Sequence, residues 1–270
     1  MSLYFVFTID GDWDEYFCHE LPEQKRKPEK RLLLTLINRE LETASLVNGK
    51  VIHFVHTSPL ARDFFLQPEF IAKWQEMKKK GGDVGVHCHE EELYKAWHFD
   101  DQEKMQTSVS FLTKELNKAG LNPIAYRGGF MTFSPKLIPI LEQNGLFLDF
   151  SCESGRHLEY NNVLVSDWQG APTNFYRLDY NDHRKVGQSK VFEVPLGIYI
   201  ERQSLWQIWQ KARELKKKNE VTVVSVMAHT YDFTSFKMRL KIKLALLILK
   251  MYGKFMGAEE VLKIIRGDNK

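Results

Sequence analysis

Cysteine is scarce in this chain. Its three cysteines, Cys18, Cys88 and Cys152, are odd in number and far apart among 270 residues. That excludes a disulfide framework and makes a reducing compartment the default expectation. An excess of one charge is missing too: 38 basic against 35 acidic residues leave +3. With no helix-turn-helix and no aromatic RNA motif, nothing calls for a nucleic-acid partner. No uncharged run reaches the roughly 18 residues that a membrane span needs. The opening MSLYFVFTIDGD has no basic segment before its apolar run, so it reads as a first strand and not as a signal peptide. There is no GxGxxG turn after that strand, no internal repeat and no low-complexity tract. The expected location is the cytoplasm.

What is present is a rhythm. Short apolar runs occur at 3–10, 51–57, 83–89, 123–129, 146–152, 191–197 and 221–230. Most are nearly continuously apolar, as strands buried on both faces of a parallel sheet should be. Helical patterns separate them at 29–46, 67–80, 101–119, 134–143 and 203–218. The alternation predicts an α/β protein built of βαβ units, and about seven strands favour a closed or nearly closed barrel over an open sheet. Residues 1–270 are expected to form one domain, within the size of such barrels. The polar, aromatic stretch 153–190 breaks the rhythm. It is expected to be a long irregular insertion after the fifth strand, near the active face.

Chemistry in β/α barrels gathers at the C-terminal ends of the strands. Here those ends carry Asp10 and Asp12, His56, His87 and His89, Arg127, Asp149 and His229, whereas the opposite ends are apolar, glycine or proline. Side chains two apart on a strand share a face. His87 and His89 can therefore meet at one point, as can Asp10 and Asp12 if the strand stays extended through Gly11. Two imidazoles and a carboxylate make a facial set that leaves metal positions open for water and substrate. Zinc suits these ligands, as do iron, cobalt and nickel. His56 reads as a structural histidine, and Cys88, between the two histidines, should point to the opposite face.

In order and placement these motifs resemble those of the polysaccharide deacetylases, the NodB-homology or carbohydrate esterase family 4 group. TIDGDWD (8–14) is similar to the family's T-F-D-D, and GDVGVHCHEE (82–91) to its histidine motif. AYRGGF (125–130) is similar to its arginine motif, LFLDFSC (146–152) to the stretch with an aspartate after the fifth strand, and VMAHTYDF (226–233) to its last histidine motif. Two departures stand out. Gly11 separates aspartates that are usually adjacent, and the usual H-x-x-x-H is shortened to His87-x-His89, with Glu91 at the old second position. Outlying branches of the superfamily, from surface-polysaccharide and O-antigen gene clusters, look similar in both respects.

The resemblance implies a distorted (β/α)7 barrel and a hydrolase that takes an acetyl group from a sugar nitrogen. It implies Asp12, His87 and His89 as ligands of a divalent metal, Asp10 as general base, Arg127 as the residue that orients it, and His229 as the acid for the departing amine. Asp149 would support His229. The two aspartates of the first motif could exchange roles, and Asp167, followed by Trp168, could take the place of Asp149. The expected partner is a carbohydrate, free, nucleotide-linked or lipid-linked. Trp168, Tyr176 and Tyr180 in the insertion could stack on it. Finally, the basic and apolar helices of 235–266 include a stretch, 235–255, without an acidic residue. It suits either a last barrel helix or contact with an anionic membrane surface.

Overall fold

The computed structural model describes residues 2–13, 29–58, 61, 63–89, 100–160 and 162–267. Cys18, Glu91 and the last residue of the first motif, Asp14, lie outside them. Five parallel strands follow the expected runs: β1 (Leu3–Asp10), β2 (Ile52–Thr57), β3 (Asp83–Cys88), β4 (Ala125–Gly128) and β5 (Leu148–Asp149). The helices between them are α1 (Lys30–Ala44), α2 (Pro68–Lys79), α3 (Gln102–Lys118) and α4 (Leu137–Gln143). Next come a hairpin, β6 (His157–Tyr160) and β7 (Val163–Asp167), and the short strands β8 (Tyr176–Arg177), β9 (Phe192–Glu193) and β10 (Leu196–Tyr199). The chain continues through α5 (Leu205–Lys216), β11 (Thr222–His229), α6 (Phe236–Lys250), β12 (Lys254–Phe255) and α7 (Ala258–Arg266).

Hydrogen-bond partners run in the order β10-β11-β1-β2-β3-β4-β5-β9-β8. Strands β9 and β10, at opposite ends of that order, are two halves of one stretch of chain. Its first half pairs with β5 and its second with β11, so the sheet curls round into a distorted (β/α) barrel. Pro195 sits at the change of partner. It has no N–H to give a ladder, and its carbonyl accepts from the Ser225 N–H at 2.9 Å. The run 191–197 is thus a stave that breaks in the middle.

Alternation along the strands sorts side chains into two cores. Val6, Phe54, Ala125, Leu148, Phe150, Phe192, Val194 and Val223 fill the barrel interior, and Ala258, Val261 and Leu262 of α7 pack with them. The residues between them on the strands, such as Phe5, Phe7, Val55, Val86, Tyr126 and Val224, meet the surrounding helices. Cys88 lies in this outer core, as its parity requires. The stretch 153–190 is more ordered than its composition suggests. It forms the antiparallel hairpin β6–β7 and the strand β8, antiparallel to β9. The hairpin's one apolar triplet, at 163–165, is too short to stand out as a strand pattern.

Candidate active site

The interior parity of β1 runs Val6, Thr8, Asp10, and the strand keeps its line through Gly11 to Asp12. A Cβ on Gly11 would lie 2.7 Å from the Phe54 carbonyl oxygen and 3.0 Å from His53 Nε2. Only glycine lets the chain press this close to β2, where the Gly11 N–H donates to that same carbonyl at 3.0 Å. The extra residue in the first motif is therefore a tight contact with the neighbouring strand, and both aspartates reach the cavity.

They meet different partners. Asp10 is gripped by Arg127, whose Nη1 donates to Asp10 Oδ1 at 2.5 Å. Arg127 is fully buried. It also donates from Nη2 to Thr8 Oγ1 and from Nε to the Phe150 carbonyl, both at 3.0 Å. Its guanidinium sits 4.7 Å from the Phe54 ring centre and 5.8 Å from that of Phe150. A guanidinium so fixed leaves Asp10 one oriented, charge-balanced carboxylate.

Asp12 faces three histidines. His56 Nδ1 donates to Asp12 Oδ1 at 2.8 Å, and the Nε2 atoms of His87 and His89 lie 3.5 and 3.7 Å from the same oxygen. Burial alone would raise the Asp12 pKa; the charges of His89 and His87 and the His56 hydrogen bond hold it well below the usual carboxylate range. His56 is pushed down to about 4, first by burial, so it meets Asp12 as a neutral imidazole. The His56 and His89 rings stack at 5.0 Å, nearly parallel. Sequence reasoning took His56 as structural; the fold sets it against the metal candidates, because His56 shares the interior parity of β2 with Phe54.

His87 bears directly on whether a metal fits. Its Nδ1 donates to the Arg127 carbonyl at 2.9 Å, which turns Nε2 toward the cavity, where it offers a lone pair whenever the ring carries one proton. That Nε2 is buried without a hydrogen-bond partner, and it points at two carboxylates, Asp12 at 3.5 Å and Asp10 at 4.0 Å. A lone pair aimed at anions calls for a cation between them. Asp12, His56, His87 and His89 together offer one ligand atom each within a 4.8 Å spread. The donor set suits a divalent metal, and the carbonyl that fixes His87 is the kind of outer support metal-binding imidazoles use.

The second glycine of the third motif makes room for this cluster. A Cβ on Gly129 would fall 2.5 Å from the His89 ring. Beyond it the backbone turns left-handed at Phe130 (φ 55°) and Met131 (φ 61°), which brings the Phe130 ring edge-on to His89 at 5.0 Å.

His229 closes the opposite side. Burial works to lower its pKa; the carboxylates of Asp232, Asp10 and Asp12 outweigh burial and hold it above the ordinary value. Its Nδ1 lies 3.8 Å from Glu201 and from Asp232, too far for a hydrogen bond and near enough for charge to act. Asp232 Oδ2 accepts from the His229 backbone N–H at 2.9 Å, and the Tyr231 ring stacks on the imidazole at 4.6 Å. Next in the chain, Thr230 Oγ1 donates to the buried Glu40 at 2.7 Å. Glu40 also pairs with His53 at 2.8 Å. This anchors the end of β11 to α1 and β2.

Between the two sides lies a cavity of about 230 Å³ lined by Asp10, Asp12, His87, His89 and His229, with Tyr199, Tyr231, Phe130 and Arg156 among its walls. Six of the seven residues singled out by the sequence stand in or against it. Asp149 does not. Its neighbours Leu148 and Phe150 face the interior, so period-two alternation turns Asp149 outward, where it pairs in register with Glu193. There Ser151 Oγ donates to Asp149 at 2.7 Å and accepts the Gly128 N–H at 2.9 Å. Asp149 thus braces the third motif from behind, and the acids beside His229 Nδ1 are Asp232 and Glu201. Asp167 is also elsewhere, bound to Arg184 at 2.6 Å. The expected sugar-stacking residues of the insertion are otherwise engaged. Trp168 is buried and donates to the Met131 carbonyl at 2.8 Å, Tyr176 is buried, and Tyr180 bonds Glu142 at the surface. Arg156 is what the insertion gives the cavity.

No family model and no curated protein sequence matches the chain. Solved structures do. A protein of Mycobacterium smegmatis classed as a polysaccharide deacetylase superposes with a TM-score of 0.66 at 13% identity, over 99% of this chain and 91% of that one. One of Parabacteroides distasonis, classed as a glycoside hydrolase/deacetylase, gives 0.66 at 13%, over 100% and 72%. The PuuE allantoinase gives 0.61 at 11%, over 99% and 91%. At such identities the likeness is one of fold. The chain has the distorted β/α barrel of the polysaccharide deacetylases, the fold its motifs resemble.

Proposed function

We propose that the chain is a metal-dependent hydrolase that removes an N-acetyl group from a sugar, in the assembly of a bacterial surface polysaccharide of the O-antigen kind. One observation carries the reading. A carboxylate clamped by a buried arginine, Asp10, stands at the same cavity as His229, a histidine whose charged form is favoured, with the Asp12–His87–His89 cluster beside both.

In this reading Asp12, His87 and His89 hold the ion, and His56 orients Asp12 through its 2.8 Å hydrogen bond. A divalent metal held there would supply polarisation of an amide carbonyl and a lowered pKa for a water. The chain's own residues move the protons. Asp10, paired with and aimed by Arg127, takes a proton from the attacking water. His229, held charged by the acids around it, returns one to the nitrogen as the C–N bond breaks, so acetate and a free amine leave. The Phe130, Tyr199 and Tyr231 rings wall the cavity and suit the apolar faces of a sugar. A scarcity of cysteine supports action in the cytoplasm, on a sugar built there before export.

The test has two arms on the same protein. Elemental mass spectrometry should find about one equivalent of a divalent metal in the wild type and none in His87→Ala/His89→Ala. Acetate release should follow incubation with N-acetylated sugars, measured beside N-formyl sugars and cyclic amides. Metal without deacetylation, with turnover of a cyclic amide, would replace the sugar reading. A wild type that takes up no zinc, cobalt or iron would end the hydrolase reading.

A further inference from the structure

Helix α6 is apolar on two sides. Ile242, Ala245, Leu246 and Leu249 are buried in the core, as a last barrel helix requires. The other side carries Phe236, Leu240, Leu244 and Leu247, and Met251 just beyond the helix end, all between 39% and 72% exposed. Their spacing of four, four, three and four residues confines them to an arc of about 80° at 3.6 residues per turn. They form one ridge about 22 Å long at 1.5 Å per residue. Helix α5 packs alongside and exposes Trp206.

The flanks of the ridge are basic. By the same periodicity Lys237 and Lys241 border it on one side and Arg239, Lys243 and Lys250 on the other. No acidic residue occurs in 235–255; Glu42 of α1, bound to Lys243 at 2.7 Å, reaches one flank, and Glu201, whose backbone carbonyl accepts from Lys241 at 2.9 Å, lies with Asp232 by the other. A ridge of large apolar side chains between rows of long basic ones is the pattern of a helix lying in a lipid headgroup region, where lysines extend outward as the ridge sinks. The ridge is a single line of side chains along one helix, which suits a fluid bilayer better than a pocketed partner. A second copy would bring basic flank against basic flank, since a two-fold contact apposes identical patches.

We infer that the α6 ridge docks the protein on an anionic membrane surface. A second observation gives the docking a use. A groove lined by Glu201, Tyr231, Asp232, Ser235, Lys237 and Lys241 begins at the basic flank of α6 and shares Tyr231 with the site cavity. Docked by the ridge, the protein presents this groove at the lipid interface, where a substrate held by a lipid anchor would enter. The docking itself stands whether or not the site acts on a sugar.

Vesicle flotation with the full chain tests it, using phosphatidylcholine alone and phosphatidylcholine mixed with phosphatidylglycerol. The wild type should float with the mixed vesicles, not with phosphatidylcholine alone, and high salt should release it. Leu240→Glu/Leu244→Glu should lower partitioning roughly tenfold or more, with an unchanged circular dichroism melt to show that the exposed substitutions leave the fold intact. No flotation with the mixed vesicles, or equal flotation of the variant, overturns the inference. So does light scattering that finds a wild-type dimer and a variant monomer, which would assign the ridge to a second copy. Binding to an acidic protein without binding to vesicles would likewise overturn it.

Discussion

Among the described residues, two pairs of buried acids lie on or just past the strands, and they are held in opposite ways. Asp10 and Asp12 face the barrel interior, where a guanidinium and three imidazoles surround them. Asp149 and Glu193 face outward from adjacent strands, both fully buried. Burial raises the pKa of each of the latter, and the neighbouring Asp149 charge raises Glu193 further, so the pair favours holding a proton. A lone buried charge is costly, and a protein answers it with a countercharge or with a proton. The countercharged pair can still accept a proton or a metal. The protonated pair is spent on structure, tying Cys152 and, through Ser151, Gly128 in place.

Substitution should separate the two pairs. The largest contrast is in turnover. Asp10→Asn should lower kcat by roughly 10² to 10⁴-fold, the range for loss of a positioned base, with bound metal unchanged by elemental analysis. Asp149→Asn should leave kcat within a few-fold. Equal losses would dissolve the distinction. Next is stability. Arg127→Met strands Asp10 as a buried charge and should cost about 3–5 kcal/mol in urea denaturation; an unchanged midpoint would mean that Asp10 does not depend on its countercharge. Gly11→Ala should cost about 1–3 kcal/mol, since the new Cβ meets the Phe54 carbonyl and pushes the two aspartates off their partners. The smallest effect is on a slope. An unfolded chain ionises Glu193 in the ordinary carboxylate range, near 4.5, whereas the folded protein keeps the proton to higher pH. Stability should therefore fall as pH rises from that range toward the raised value. Glu193→Gln should flatten the fall when urea midpoints at pH 5.5 and 8 are compared.

The barrel was largely legible because its strands are buried on both faces and read as continuous apolar runs, as 3–10 and 221–230 do. The site was legible where chemistry clusters locally, in the His87–His89 pair and around His229. Parity was the neglected signal. Counting by twos from Leu148 and Phe150 would have turned Asp149 away from the cavity, and counting from Phe54 would have turned His56 toward it. Asp232 was on the page within VMAHTYDF, but its contact with His229 is made by a turn after the strand. The Asp149–Glu193 pair was beyond reach, since it depends on the register between strands 43 residues apart at their nearest. The second apolar side of α6 was hidden because the sequence shows how apolar a helix is, not which side is covered.

The broken stave around Pro195 has a consequence for how the protein behaves among its own copies. A parallel sheet that stopped at β5 and β11 would offer two rows of unpaired backbone groups, each a template for another chain. Residues 192–199 cover both rows, four residues to a side at most, with β8 capping the outer flank of β9. Eight residues, of which Tyr199 alone lines the site cavity, thus decide whether the sheet ends in itself or in a neighbour. Insertions ahead of Tyr199 would be felt first as aggregation.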